Sequence, residues 1–297
     1  KRRCEMAKIG ELDSAKVTVL LDDYAGYESR FLAQHGISIL LEAVYEGKQY
    51  RILLDVGQSA YPILHNMELM GISPSSIDAI VLSHCHYDHT GGLVEFLKAA
   101  GKRDFPIVAH PDIFRENYAF RPIIQNIGVS QDNSREAVEE AGGRMCLVWE
   151  PLEIMPGVMV TGEVPRRRDF EKPGIGTWNV KDGKVAPDEI VDDISIVVKV
   201  KDKGISVLTG CSHAGIINII DWAKEISGHD RVDLVIGGFH LIRASAQRIE
   251  KTAQALLELG VKKVVAGHCT GLSAQAEMAR VLGDKFVQLG AGISVEL

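Results

Sequence analysis

Four short apolar runs in this chain are each followed, within a few residues, by imidazole or thiol groups. Asp78-Ala79-Ile80-Val81-Leu82-Ser83 leads into His84-Cys85-His86-Tyr87-Asp88-His89. Val207-Leu208-Thr209-Gly210 leads into Cys211-Ser212-His213, Val235-Ile236-Gly237-Gly238 into Phe239-His240, and Val264-Val265-Ala266-Gly267 into His268-Cys269. Runs this short and this rich in β-branched residues read as buried strands of a parallel sheet. In α/β sheets, ligand sites collect beyond the carboxyl ends of strands, where loops converge. The pattern therefore restricts the chain to an α/β architecture in which four strand ends face one site. The glycines before Cys211, Phe239 and His268 suit such a site, because a residue without a Cβ lets backbone or metal come close.

The densest donor group is His84 to His89, three imidazoles and a carboxylate in six positions. In extended backbone, side chains alternate, so His84, His86 and Asp88 share one side while His89 enters from the following turn; residues 90–98 read as the start of a helix. That arrangement feeds two adjacent ions, His84 and His86 at one, Asp88 and His89 at the other. Neutral imidazole and carboxylate suit zinc, and manganese and iron accept the same donors. The bland alternative is a polar helix cap with incidental histidines. Buried polar groups need partners, and a metal supplies them.

Strand and helix patterns occur at both ends of the chain. Residues 16–21, 37–44 and 49–57 read as strands and 59–70 as a helix; from residue 191 onward, strands at 194–200 and 205–209 precede a helix at 216–226, and further strands fall at 232–236 and 261–266. Residues 112–190 break the rhythm and hold six of the ten prolines. This middle reads as an inserted small α+β segment or cap, with a weak two-strand signal at 144–149 and 158–161. Residues 1–111 and 191–297 then form the catalytic domain.

With 297 residues, 46% hydrophobic and 25% charged, the chain can bury a large core without staples. Its five cysteines (Cys4, Cys85, Cys146, Cys211, Cys269) are scattered, with no Cys-x-x-Cys pair. That fits reduced thiols in the cytoplasm better than a disulfide framework. No apolar run reaches the roughly 20 residues that span a bilayer, and Lys1-Arg2-Arg3 is not followed by the apolar stretch of a signal peptide. The net charge of -7 argues against a broad nucleic-acid surface, so a small-molecule substrate is expected. Nothing in the sequence bears on oligomeric state.

His84-x-His86-x-Asp88-His89, together with Leu54-Asp55-Val56-Gly57 and Gly267-His268, resembles the signature of the metallo-β-lactamase fold superfamily. The resemblance implies an αββα four-layer sandwich with a metal site, often dinuclear, at one edge of the two sheets. Thr209-Gly210-Cys211-Ser212-His213-Ala214-Gly215, Gly237-Gly238-Phe239-His240-Leu241 and Gly267-His268-Cys269-Thr270-Gly271 are similar to the branch that includes the dihydropterin ribofuranosyl-aminobenzene phosphate synthase of methanopterin biosynthesis. Carried over residue by residue, Asp55 matches an aspartate that orients ligands without touching metal. His84, His86, Asp88 and His89 match the second motif in full. The third motif normally supplies a histidine, but Thr161-Gly162-Glu163-Val164 offers none, and His213 or His240 replaces it. Cys211 stands where the fourth motif has Asp or Cys, and His268 fits the fifth. The implied ligand sets are His84, His86 and His213 at one ion and Asp88, His89 and His268 at the other, with Cys211 bridging or lining the site.

Two divalent ions, zinc first and manganese or iron next, activate water and polarise a carbonyl or phosphoryl oxygen, so the expected reaction is hydrolysis of a small anionic or phosphorylated substrate. Asp88 is the expected orienter of the nucleophile, and His240 the expected proton donor to a leaving group. For His240, metal ligation and substrate contact stay open. A thiol nucleophile built on Cys211 and His213 conflicts with nearby zinc, which consumes the thiolate or the base. His110 reads as structural or as supporting a ligand, and His35 as ordinary. Arg166-Arg167-Arg168 reads as a phosphate contact or a solvated face, and Asp192-Asp193 as a ligand-orienting pair or a loop cap. The competing activities are a pterin-related condensing synthase and a redox di-iron protein. Relatives of the latter usually carry Glu where His86 stands, together with a flavin domain, and this chain has neither. A non-catalytic metal sensor is the remaining class.

Overall fold

The computed structural model describes residues 8–120, 122–171 and 176–297; Cys4 and the Lys1-Arg2-Arg3 run lie outside the described residues. Alternating apolar positions along the strands build two seven-stranded sheets. The first runs, edge to edge, Ser294–Glu296, Ser14–Leu21, Ser38–Tyr45, Lys48–Leu54, Ala79–Val81, Phe105–Ala109 and Gly143–Leu147. The second runs Phe286–Gln288, Lys263–Gly267, Val232–Gly238, Ile205–Thr209, Ile196–Lys199, Val158–Val160 and Leu152–Met155. Each sheet is antiparallel on one side and parallel on the other. In the first, strands from Lys48–Leu54 to Gly143–Leu147 are parallel; in the second, those from Ile205–Thr209 to Phe286–Gln288 are.

The side-chain period of two sends alternate residues to opposite faces, and the buried apolar residues divide accordingly into three layers. Val17, Val19, Ile39 and Leu41 meet Val158, Ile196, Leu208 and Ile236 between the sheets. Leu20, Leu40, Leu53 and Ile80 face outward against Ile63, Met67, Phe96 and Leu97 of helices Ala60–Leu69 and Leu93–Ala100. Val207, Val235 and Val264 face Ile219, Ile220, Leu256 and Met278 of helices Ile216–Ser227, Ala246–Glu258 and Leu272–Leu282. Helix, sheet, sheet, helix is the four-layer sandwich the sequence implied.

The middle of the chain is divided. Gly143–Leu147 extends the first sheet and Leu152–Met155 and Val158–Val160 extend the second, so these stretches of 112–190 belong to the sandwich. What stands apart is a four-stranded antiparallel sheet in the order Lys184–Pro187, Thr177–Lys181, Asn117–Phe120, Ile124–Asn126. Two ties hold it. The Tyr87 N–H donates to the Ile127 carbonyl at 3.0 Å, and Arg115 binds both Asp188 and the fully buried Asp192, at 2.7 and 2.6 Å. No helix among the described residues is long and apolar enough to cross a membrane, and Cys85, Cys146, Cys211 and Cys269 are unbridged.

Candidate metal centre and active-site cleft

All four strand ends singled out above open at the same edge of the sandwich. Left-handed backbone at non-glycine residues is uncommon and marks places where the fold dictates conformation; here Asp55, Ser212, His240 and His268 adopt it, with φ of 60°, 58°, 44° and 49°, each just after a strand. One feature differs from the sequence expectation. His86 keeps extended backbone, but Tyr87–Thr90 is a short helix, so Asp88 and His89 leave a helical turn, which lets them face donors from the second sheet.

Two clusters of donors result. In one, His84 Nε2 lies 2.9 Å from His86 Nδ1 and 3.2 Å from His213 Nε2. In the other, Asp88 Oδ2 lies 3.3 Å from both His89 Nε2 and His268 Nε2, and Cys211 Sγ lies 3.2 and 3.4 Å from the same two nitrogens. Cys211 also falls within ligand distance of His84 and His213, so it sits between the clusters. His213 thus stands beside His84 and His86, and His268 beside Asp88 and His89, the groupings that the family resemblance implied.

Hydrogen bonds behind the clusters set their tautomers. The Ser83 hydroxyl donates its one proton to Asp55 Oδ2 at 2.6 Å, so at 2.9 Å it accepts from His84 Nδ1–H and leaves His84 Nε2 a bare lone pair. Asp55 Oδ2 also accepts from His89 Nδ1–H at 2.6 Å, which turns His89 Nε2 inward. Burial, reinforced by the neighbouring imidazoles, holds His84 and His213 well below the ordinary histidine range; burial brings His86 down to about 3. Burial also opposes charge on His89, but Asp88 and Asp55 outweigh it and raise it to about 10. The first cluster is thus a set of neutral lone-pair donors. In the second, protons balance Asp88, and a cation can replace them. His86 Nε2 is buried without a partner among the described residues. Two imidazoles, a carboxylate and a thiol converging in one cluster, and three imidazoles in the other, are the donor sets that divalent transition ions take.

The family model described as Metallo-beta-lactamase superfamily matches residues 38–185. Over 290 residues the chain is 42% identical to 7,8-dihydropterin-6-methyl-4-(beta-D-ribofuranosyl)-aminobenzene-5'-phosphate synthase of Methanocaldococcus jannaschii, covering 97% of this chain and 98% of that protein. The chain belongs to the metallo-β-lactamase superfamily. Its resemblance to Uncharacterized protein MJ0448 of the same organism is 31% over 94% of this chain and the whole of that one. Among solved structures, Tm1679, described as a metal-dependent hydrolase of the beta-lactamase superfamily, matches with a TM-score of 0.80 and 28% identity over 95% of this chain and 99% of that one.

Other parts of this metallo-β-lactamase domain hold the donor loops rigid. Asp192 Oδ2 accepts from the Cys85 N–H and Asp193 Oδ2 from the Ala214 N–H, both at 2.8 Å, so the adjacent pair pins one loop from each sheet. The close approach at Gly210 is explicit. A Cβ there would lie 2.2 Å from Ser83 Oγ and 2.7 Å from Asp55 Oδ2. Asp55 accepts three hydrogen bonds, including one from the Ser83 N–H at 2.7 Å, and every one of its neighbours is a donor. In Asp55→Asn an amide NH2 must face one of those donors, so metal affinity is expected to fall about 10–100-fold, the usual cost of losing a ligand-orienting partner. Competition with a chelating dye measures this.

Two site residues escaped the sequence reading. His35, read as ordinary, places Nε2 3.5 Å from Asp88 Oδ2 and Nδ1 3.2 Å from Asp23, whose Oδ1 also lies 3.4 Å from His268 Nδ1. Asp23 does follow a strand end, the one signal available; His35 lies in a loop without periodicity. Elsewhere, His110 is structural: it caps a short turn by accepting from the Asp112 N–H and touches Glu163. The arginine run does not face the donors. Arg167 and Arg168 pair with Glu225 and Asp221, and Arg166 binds the carbonyls of Glu189 and Ile190.

Above the donors lies a cleft of about 370 Å³. His35, Tyr87 and His240 line it with Ala119, Gln125, Ile127 and Thr177 in and beside the small sheet and with Ile242, Arg243 and Arg248. His240 packs against His213 with ring centres 4.3 Å apart and planes tilted by 46°, and its Nδ1 has no partner among the described residues.

Proposed function

We propose that the chain is a metal-dependent synthase that joins a dihydropterin, at the carbon on its 6-position, to the amino group of a 4-(ribofuranosyl)aminobenzene 5'-phosphate. The observation that carries this reading is the end-to-end relationship, at 42% identity, to a protein named for that product. The cleft supports it. Its volume and mixed lining suit a flat, partly apolar molecule with a charged end, and His86, Asp88, Cys211, His213 and His268 of the donor clusters line it.

The chemistry follows from the product. The aniline nitrogen forms a bond to the pterin methylene carbon, an ester leaving group such as a phosphate or diphosphate departs with its electron pair, and the nitrogen loses a proton. Bound by His84, His86 and His213 and by Asp88, His89, Cys211 and His268, divalent cations, zinc first, would supply Lewis acidity toward the leaving oxygens. Asp88 and His35 would hold the amine in place, and His240, half buried with an unpartnered Nδ1, would exchange the proton with the leaving oxygen. A second reading, hydrolysis of a small phosphorylated or otherwise anionic molecule, draws on the likeness to Tm1679 and needs only water in place of the amine. Either way the substrates are small molecules, and the unbridged cysteines suit the cytoplasm.

Incubating the zinc- or manganese-loaded chain with a 6-(hydroxymethyl)dihydropterin diphosphate and the aminobenzene ribosyl phosphate should yield the joined product by mass spectrometry only when both are present. Release of free hydroxymethylpterin at the same rate without the amine would replace this reading with the hydrolytic one.

A further inference from the structure

Arg243 and Arg248 both line the cleft that His35 and Tyr87 also line. Arg243 is exposed and Arg248 half buried, while the metal donors that line the cleft are buried. The segment that carries them is fixed to the donor loops: the Ile242 N–H donates to the Cys269 carbonyl at 3.1 Å, and the Ala244 N–H closes a turn on Leu241 at 2.9 Å. Arg248 begins the helix Ala246–Glu258, where its N–H donates to the cap residue Ser245. It also lines an adjoining cleft with Asp169, Phe170, Ser245, Gln247 and Lys251. The first turn of that helix holds no acidic residue. Near the donors the cleft carries the carboxylates Asp23 and Asp88, which repel an anion not bound to metal. A substrate with one anionic end is therefore favoured with its charge toward the arginines and its uncharged end toward the carboxylates. Guanidinium forks match phosphate and carboxylate oxygens in pairs, so such groups bind a terminal phosphate through charge-assisted hydrogen bonds.

We propose that Arg243 and Arg248 form the subsite for the terminal phosphate of a sugar-phosphate substrate, distinct from the metal donors and responsible for substrate orientation. The identity of that substrate rests on the synthase reading above; the existence of the subsite does not. The test is therefore a binding measurement. Titrating the metal-loaded chain with ribose 5-phosphate should show a complex that Arg243→Ala weakens about tenfold and Arg243→Ala/Arg248→Lys by about 100-fold, as expected for losing charge-assisted hydrogen bonds, at unchanged metal content. Both variants keep a side chain or a charge where Arg248 is half buried, so folding is retained and circular dichroism verifies it. Unchanged affinity in both variants, or affinity that depends on the metal alone, would overturn the subsite. If synthase activity is found, the double variant should raise KM for the phosphorylated amine while leaving KM for its dephosphorylated analogue unchanged; equal effects on both would also count against it.

Discussion

Asp88→Ala is expected to leave the chain folded with one fewer metal ion and to lower turnover by about 10²–10⁴-fold, the range for losing a positioned acid–base group. Asp88 is buried, and its Oδ2 contacts His89, His268 and His35. Among the described residues no other carboxylate is grouped with the facing nitrogens of His89 and His268, so alanine leaves two imidazoles and a thiol there. The first cluster, built on His84, His86 and His213, is untouched. Elemental analysis of wild type and variant, paired with the synthase assay, decides the matter; full metal content with full activity in the variant would remove Asp88 from the site. The same experiment on His240→Ala separates the roles, because an unchanged metal count with lowered turnover is the behaviour of a proton-transfer group and a lowered count that of a ligand.

The second large effect is one of stability. Arg115→Ala should lower the unfolding free energy by roughly 3–5 kcal/mol, because it removes one partner of a buried ion-paired network and strands the others. Asp192 is fully buried, Asp188 nearly so, and Arg115 spans them. Asn117 also donates to Asp188, but an amide brings no compensating charge. Burial raises the Asp192 carboxyl above its ordinary range even with Arg115 in place, so without the guanidinium the protonated form gains further. Denaturant unfolding of the metal-free chain reads the change directly. Because Asp192 also accepts from the Cys85 N–H, the variant should lose metal affinity in parallel; destabilisation under about 1 kcal/mol would mean that water replaces the guanidinium.

How much of this was legible in the sequence depended on how local each feature is. Contiguous strands followed by donors gave away His84 to His89, Cys211, His213, His240 and His268, since each lies within a few residues of an apolar run whose end had to face a site. Even the pairing of His213 with His84 and of His268 with Asp88 followed from resemblance. The turn at Tyr87–Thr90 did not, because two glycines after His89 masked a helical start that His86 opens without a side-chain cap. Asp23 and His35 were hidden for a different reason: they are brought in by a loop that has no period, and only the fold places them beside Asp88 and His268. The proline-rich middle looked like one insert because its strands are short; three of them nevertheless complete the main sheets, since an edge strand needs only a ladder of hydrogen bonds and a few apolar contacts to join.

The position of Cys211 between the two donor clusters has a consequence for assembly. His84, His86, Asp88 and His89 come from the first sheet, whereas Cys211, His213 and His268 come from the second, with His84 and His213 129 positions apart. Nothing shorter than the whole sandwich can bring them together. Ions held there would act as a rivet through the two halves, seated only after both have docked, and contacts this distant along the chain are among the last to be made. The capture of metal would then mark the end of folding as well as the start of chemistry.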